Sequence, residues 1–167
     1  MISGDIVLCH SKGLIGAGIR WAQRSMRHDP TKTWWRYNHV AVLNTDMGNG
    51  DWTIYQAEAR GVTDYRLLST VAPGGTYEVI PLPDHVDRGL FIKFLSEQVD
   101  KHYGYLSILS CFVDMILPDK VCLRRSDTWI CSGLVAGALW FGGFKGAFAW
   151  PDLYTVTPAE IAEACVI

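Results

Sequence analysis

The segment Trp129-Ile130-Cys131-Ser132-Gly133-Leu134-Val135 decides how the rest of the chain is read. One cysteine heads an apolar run that continues through Leu139 and Trp140. Just upstream stand Ser126, Asp127 and Thr128, residue types whose side-chain oxygens accept from the exposed N–H groups of a helix's first turn. The pattern predicts a buried helix with Cys131 in or near that turn. There the positive end of the helix dipole and the free amides favour a thiolate over a thiol, and the thiolate is the attacking species in covalent catalysis. Taken alone, these seven residues also fit a small buried apolar side chain, the ordinary fate of a free cysteine.

The chain has 167 residues, 49% apolar and 19% charged, the make-up of a globular protein with a substantial core, and one domain over residues 1–167 is expected. A net charge of −2 supplies no basic field, so nucleic acid is not an expected partner. The five cysteines, Cys9, Cys111, Cys122, Cys131 and Cys165, form no CxxC pair and no metal-ligand spacing. Neither a metal nor an organic cofactor is expected, and thiols set in apolar runs point towards a reducing compartment. No signal peptide is visible at the N-terminus. The longest charge-free run, Trp129 to Phe144, is shorter than the ~20 residues of a spanning helix, so no stable membrane insertion is expected.

Outward from the cysteine segment, the chain alternates strand and helix signals. Gly4-Asp5 leads into an apolar first strand ending at Cys9, and Gly13 to Met26 carries the spacing of an amphipathic helix. Tyr37 to Leu43 reads as a second strand, with His39 set among β-branched and small apolar residues. A hairpin turn with Gly48 and Gly50 leads to a third strand, Trp52 to Glu58. Alternation places Trp52, Ile54, Gln56 and Glu58 on one face of that strand. Gln56 and Glu58 are therefore candidates to orient the His39 imidazole. Strands are also predicted over Gly61 to Tyr65 and Thr76 to Leu82. A helix capped by Asp84 is predicted to about Tyr103, and a second, apolar helix over Tyr105 to Leu117. A charged loop, Asp119 to Asp127, precedes the cysteine helix, and Thr157-Pro158-Ala159-Glu160 opens a last short helix. Strands in a meander with helices before and after make an α+β arrangement.

These segments together resemble the circularly permuted papain-like amidases, the permuted branch of the NlpC-type cell-wall cysteine peptidases that also includes lecithin:retinol acyltransferase-like enzymes. The resemblance is carried by Gly4-Asp5-Ile6-Val7, Asn38-His39-Val40-Ala41-Val42, Ile54-Tyr55-Gln56-Ala57 with Gly61-Val62, Tyr103-Gly104-Tyr105-Leu106, Cys131-Ser132-Gly133-Leu134-Val135 and Thr157-Pro158-Ala159-Glu160. The histidine strand precedes the cysteine helix, which is the permuted order. The resemblance implies a permuted papain-like fold, an antiparallel, small barrel-like sheet packed on helices, with Cys131 as nucleophile and His39 as general base. Two positions depart from the family pattern. Where the family has a glutamate to hold the imidazole this chain has Gln56, with a carboxylate two residues on at Glu58. Gly104 stands where an acidic residue often follows the tyrosine.

The expected function is cysteine-dependent hydrolysis of an amide bond, with peptidoglycan stem peptides the substrate that the resemblance implies. Cys131 attacks, His39 moves the proton, Gln56 or Glu58 fixes the ring, and first-turn amides hold the oxyanion. Two other readings use the same chain. One is a lipid acyltransferase or thioesterase with the same residues, and the other is a non-catalytic phage or cell-surface module that keeps the fold. A cytoplasmic or phage-delivered protein fits the missing export signal, and the oligomeric state is left open.

Overall fold

The computed structural model describes residues 1–10, 14–25, 33–104, 128–146, 148, 153 and 156–166. Its centre is a five-stranded antiparallel sheet built from β1 (Ile6–Cys9), β2 (His39–Asp46), β3 (Trp52–Glu58), β4 (Gly61–Leu67) and β5 (Tyr77–Ile80). In space the order is β4-β3-β2-β1-β5. Helices α1 (Leu14–Ser25), α2 (Leu68–Val71), α3 (Arg88–Glu97), α4 (Cys131–Phe141) and α5 (Pro158–Cys165) flank it, and a short parallel ladder joins β6 (His102–Tyr103) to β7 (Thr128–Trp129). The fold is mixed α+β. Among the described residues the sheet does not close into the barrel-like form expected from sequence. The outer edge of β4 is engaged instead by the 100–101 turn, with Val62 N–H donating to the Lys101 carbonyl and Asp100 N–H to that of Val62.

Both faces of the sheet are buried, and the strand alternation sorts the side chains between them. Ile6, Leu8, Val40, Val42, Tyr55 and Ala57 face the main core, where Phe91, Phe94 and Leu95 of α3 and Leu134, Val135, Ala138 and Leu139 of α4 cover them. Val7, Cys9, Ala41, Leu43, Trp52 and Ile54 face the other way, onto Leu68 and Ala72. Glycine decides how closely α3 and α4 approach. A Cβ at Gly137 would stand 3.0 Å from Phe94 Cζ and 3.2 Å from the Trp129 ring. That spacing holds Phe94 edge-on to Trp129, with ring centroids 5.7 Å apart.

Several boundaries differ from those read in the sequence. The helix predicted from Asp84 to Tyr103 starts later and stops sooner. Residues 83–86 form a turn closed by Val86 N–H on the Pro83 carbonyl, and Asp87 is the N-cap, accepting from Leu90 N–H. Asp100, with φ 69°, takes the left-handed conformation just before β6. At the cysteine helix the cap position is not the one expected for Thr128. Thr128 is drawn into β7, and the N-cap is Ile130, which makes no side-chain capping bond. Ser126 and Asp127, with the helix predicted over Tyr105 to Leu117 and the loop over Asp119 to Asp127, lie outside the described residues. The last helix starts as predicted. Thr157 and Glu160 form a reciprocal capping box with Pro158 in the first turn.

The β3–β4 hairpin turns at Ala59-Arg60, and Glu58 pairs with Gly61 across it. Gly61 has φ 117°, and a Cβ there would meet the Lys101 carbonyl oxygen at 2.6 Å. Gly61→Ala therefore combines a backbone conformation that L-residues avoid with a clash against main chain. A destabilisation of about 2–3 kcal/mol is expected. Denaturant melts check it, and a midpoint equal to the wild type's would show that the 100–101 turn yields freely.

Candidate active site

The start of α4 is held from several sides. Trp129 donates its indole N–H to Gln98 Oε1 at 3.0 Å, and its carbonyl accepts from Gly104 N–H at 2.9 Å. One residue into the helix, the Ser132 hydroxyl bonds the Val156 carbonyl just ahead of α5. Cys131 is therefore fixed between β7 and the helix it begins. Because Ile130 offers no capping side chain, the first-turn amides of α4 are left for other acceptors, and the Ser132 N–H turns to the Cys131 sulfur.

The second donor to that sulfur comes from the sheet. The β2–β3 ladder runs from Asp46–Trp52 to Val42–Tyr55 and ends there on the side of His39. Leu43 directs its N–H to Asp5 on the β1 side, so Val40, of opposite parity, directs its own away from β1. Val40 lies beyond the end of the β2–β3 ladder, and its N–H acts to hold the Cys131 thiol low.

His39, the first residue of β2, completes the cluster. It keeps part of its surface exposed. Its Nε2 lies 2.9 Å from Gln56 Oε1 on β3. A carbonyl-type oxygen only accepts, so Nε2 carries the proton and donates. The remaining ring nitrogen, Nδ1, serves the hydrogen bond between His39 and Cys131. Burial by itself would push the Cys131 thiol up. The His39 charge and hydrogen bond, with the Val40 and Ser132 amides, outweigh it and hold the thiol below its ordinary value. Burial also acts to lower the imidazole, but the Cys131 charge and bond, then Gln56, then the more distant Glu58, raise it. The two shifts favour one state, a thiolate beside an imidazolium.

The four residues singled out from sequence are therefore not placed alike. His39 interacts with Cys131 on one side and with Gln56 on the other. Glu58 instead faces Arg66 of β4, 3.7 Å from Nε, an ion pair longer than a hydrogen bond, and reaches His39 only through its charge. Of the tyrosines near the resemblance motif, Tyr103 is half-buried in β6, and Tyr105 lies outside the described residues. Sequence reading did not single out the Val40 amide. It also missed Cys9, the ladder partner of His39, and Thr63, the ladder partner of Gln56. Cys9 is buried, and burial together with the nearby Cys131 charge pushes its thiol up to about 12. That sulfur is held as a neutral thiol beside the cluster.

Among the described residues no three His, Cys, Asp or Glu side chains are grouped as a metal site, and no helix is long and apolar enough to cross a membrane. No family model matches the chain, and a search of curated proteins finds no match either.

Proposed function

We propose that the chain is a permuted papain-like thiol hydrolase that cleaves an amide bond. The observation that carries this reading is the Cys131–His39 contact at the head of α4, with the thiol held low and the imidazole held high by one another. The thiolate attacks the carbonyl carbon, and the oxygen takes up the negative charge opposite the first-turn amides of α4. His39 Nδ1–H then protonates the departing amine, the C–N bond breaks and a thioester remains on Cys131. A water loses its proton to the now neutral imidazole and attacks that thioester. Collapse releases the carboxylic acid, and the proton on His39 restores the ion pair. Gln56 keeps Nε2 protonated throughout, so that Nδ1 is the nitrogen that exchanges protons. No step calls for a metal or organic cofactor. Peptidoglycan stem peptides are the substrate we put first, on the resemblance of the motifs.

The test is labelling of the folded protein with a peptidyl electrophile, followed by a screen of muropeptides and lipid esters. Peptide mapping is expected to find the adduct on Cys131. Cys131→Ala is expected to lose turnover by about 10⁴-fold or more. Turnover of an amide supports the reading, and turnover of esters alone transfers the same residues to lipid acyl chemistry. A folded protein whose Cys131 stays unlabelled is a non-catalytic module.

A further inference from the structure

Cys9, His39, Gln56 and Thr63 form one row across β1, β2, β3 and β4. Cys9 pairs with His39, His39 Nε2 meets Gln56 Oε1 at 2.9 Å, and Gln56 pairs with Thr63. Alternation puts all four on one face. Cys9 and Ile54 belong to the second cluster, while Val62 and Ala57, of opposite parity, belong to the main core. Gln56 and Thr63 are 1% and 5% exposed. Gln56 uses its carbonyl oxygen on His39, but its Nε2 is buried and has no hydrogen-bond partner among the described residues. The Thr63 hydroxyl directly opposite is in the same condition. A buried donor and a buried hydroxyl left open side by side are costly unless one shared water satisfies both.

We infer that Thr63 is a positioning residue: its hydroxyl, across one bound water, takes up the Gln56 Nε2–H and so holds the Gln56 amide in place against His39. The inference rests on the reading of Cys131 and His39 as a working pair. An amide has nearly the same shape in its two orientations, so packing does not choose between them. Reversed, it would aim Nε2–H at the Nε2–H of the ring, donor against donor. The imidazole would then have to vacate Nε2 and hold its proton on Nδ1, the nitrogen that must receive the proton of the thiol. The Nε2–H of the ring selects the present orientation, and Thr63 steadies it by taking up the Gln56 Nε2–H that this orientation turns away from the ring.

The experiment compares Thr63→Val, which keeps the shape and removes the hydroxyl, with Thr63→Ser, which keeps the hydroxyl. Both are read by the pH profile of Cys131 alkylation with iodoacetamide. The charged and titratable neighbours of the ring, namely Cys131, Cys9 and the Glu58–Arg66 pair, are the same in every variant. Thr63→Val is expected to slow alkylation at pH 6 by about three- to tenfold, while Thr63→Ser follows the wild type. In a Gln56→Ala background Thr63→Val should have no further effect, since Thr63 acts only through Gln56. Should Thr63→Val not fold, Thr63→Ala against Thr63→Ser makes the same comparison. A Thr63→Val profile that superposes on the wild type's overturns the inference. So does a Thr63→Ser profile that falls with it, or an undiminished effect in the Gln56→Ala background. Failure of the underlying reading looks different, because the wild type itself would then show no reactive thiolate at pH 6.

Discussion

Alanine in place of His39 is expected to lower turnover by about 10³- to 10⁴-fold and to slow alkylation of Cys131 at pH 6 by about 10- to 100-fold. Two losses combine in turnover, the proton carrier for the leaving amine and the charge that keeps the thiolate. Only the second acts on alkylation. Without the imidazolium, burial becomes the dominant influence on the Cys131 thiol, opposed only by the Val40 and Ser132 amides. The thiol then rises out of its lowered position. Each unit of that rise removes about tenfold of thiolate at acidic pH but makes the remaining thiolate about threefold more nucleophilic, a net loss of about threefold per unit. The sign with pH follows. In the wild type alkylation appears as pH climbs through the lowered thiol value, while turnover, which also needs the imidazolium proton, is lost above the raised imidazole value. In His39→Ala alkylation appears only towards the ordinary thiol range. Cys9 and Cys165, both pushed up to about 12, chiefly by burial, should stay silent throughout, so peptide mapping separates them from Cys131. Overlapping profiles for wild type and His39→Ala would show that no ion pair exists.

What the sequence made legible is what depends on short-range periodicity and capping. Trp52 to Glu58 forms a strand with those bounds, and Thr157-Pro158-Ala159-Glu160 closes its capping box where the residues stand. The helix start at Cys131 was legible from the apolar run, yet its cap was not. Ile130 takes the N-cap position because β6 captures Thr128 and Trp129 in a ladder, a tertiary event that residue preference does not contain. Asp84 and Asp87 are equally good caps on paper, and the turn at Pro83 chooses between them. Among the described residues the β4 edge is likewise met by the 100–101 turn, a tertiary contact that residue preference does not contain. Thr63 is a different case. A strand ending at Glu58 and another beginning at Gly61 leave a two-residue turn, and that turn alone sets Gln56 opposite Thr63. The signal was present, but a threonine in a strand carries no chemical mark until its neighbour is seen to hold the His39 ring.

The orienting partner of His39 separates under substitution because Gln56 and Glu58 act through different physics. Gln56 touches the ring at 2.9 Å and is neutral, so it sets the tautomer without placing a second charge in a buried site. Glu58 is partly exposed, is occupied by Arg66 at 3.7 Å, and is the weakest of the influences that raise the imidazole. Gln56→Ala is therefore expected to lower turnover by about 10- to 100-fold, and Glu58→Ala by no more than about threefold. A third substitution reads the sign of the charge. Gln56→Glu would set a carboxylate against Nε2–H, where an opposite charge at contact distance raises the imidazole by about one unit or more. The high-pH limit of turnover, set by loss of the imidazolium proton, should then move upward while the low-pH limit, set by the thiol, moves little. A neutral partner that merely fills space would leave both limits in place in Gln56→Glu. If instead Glu58→Ala shows the large loss and Gln56→Ala is nearly silent, the carboxylate of Glu58 governs the ring electrostatically, and the 2.9 Å contact is only packing.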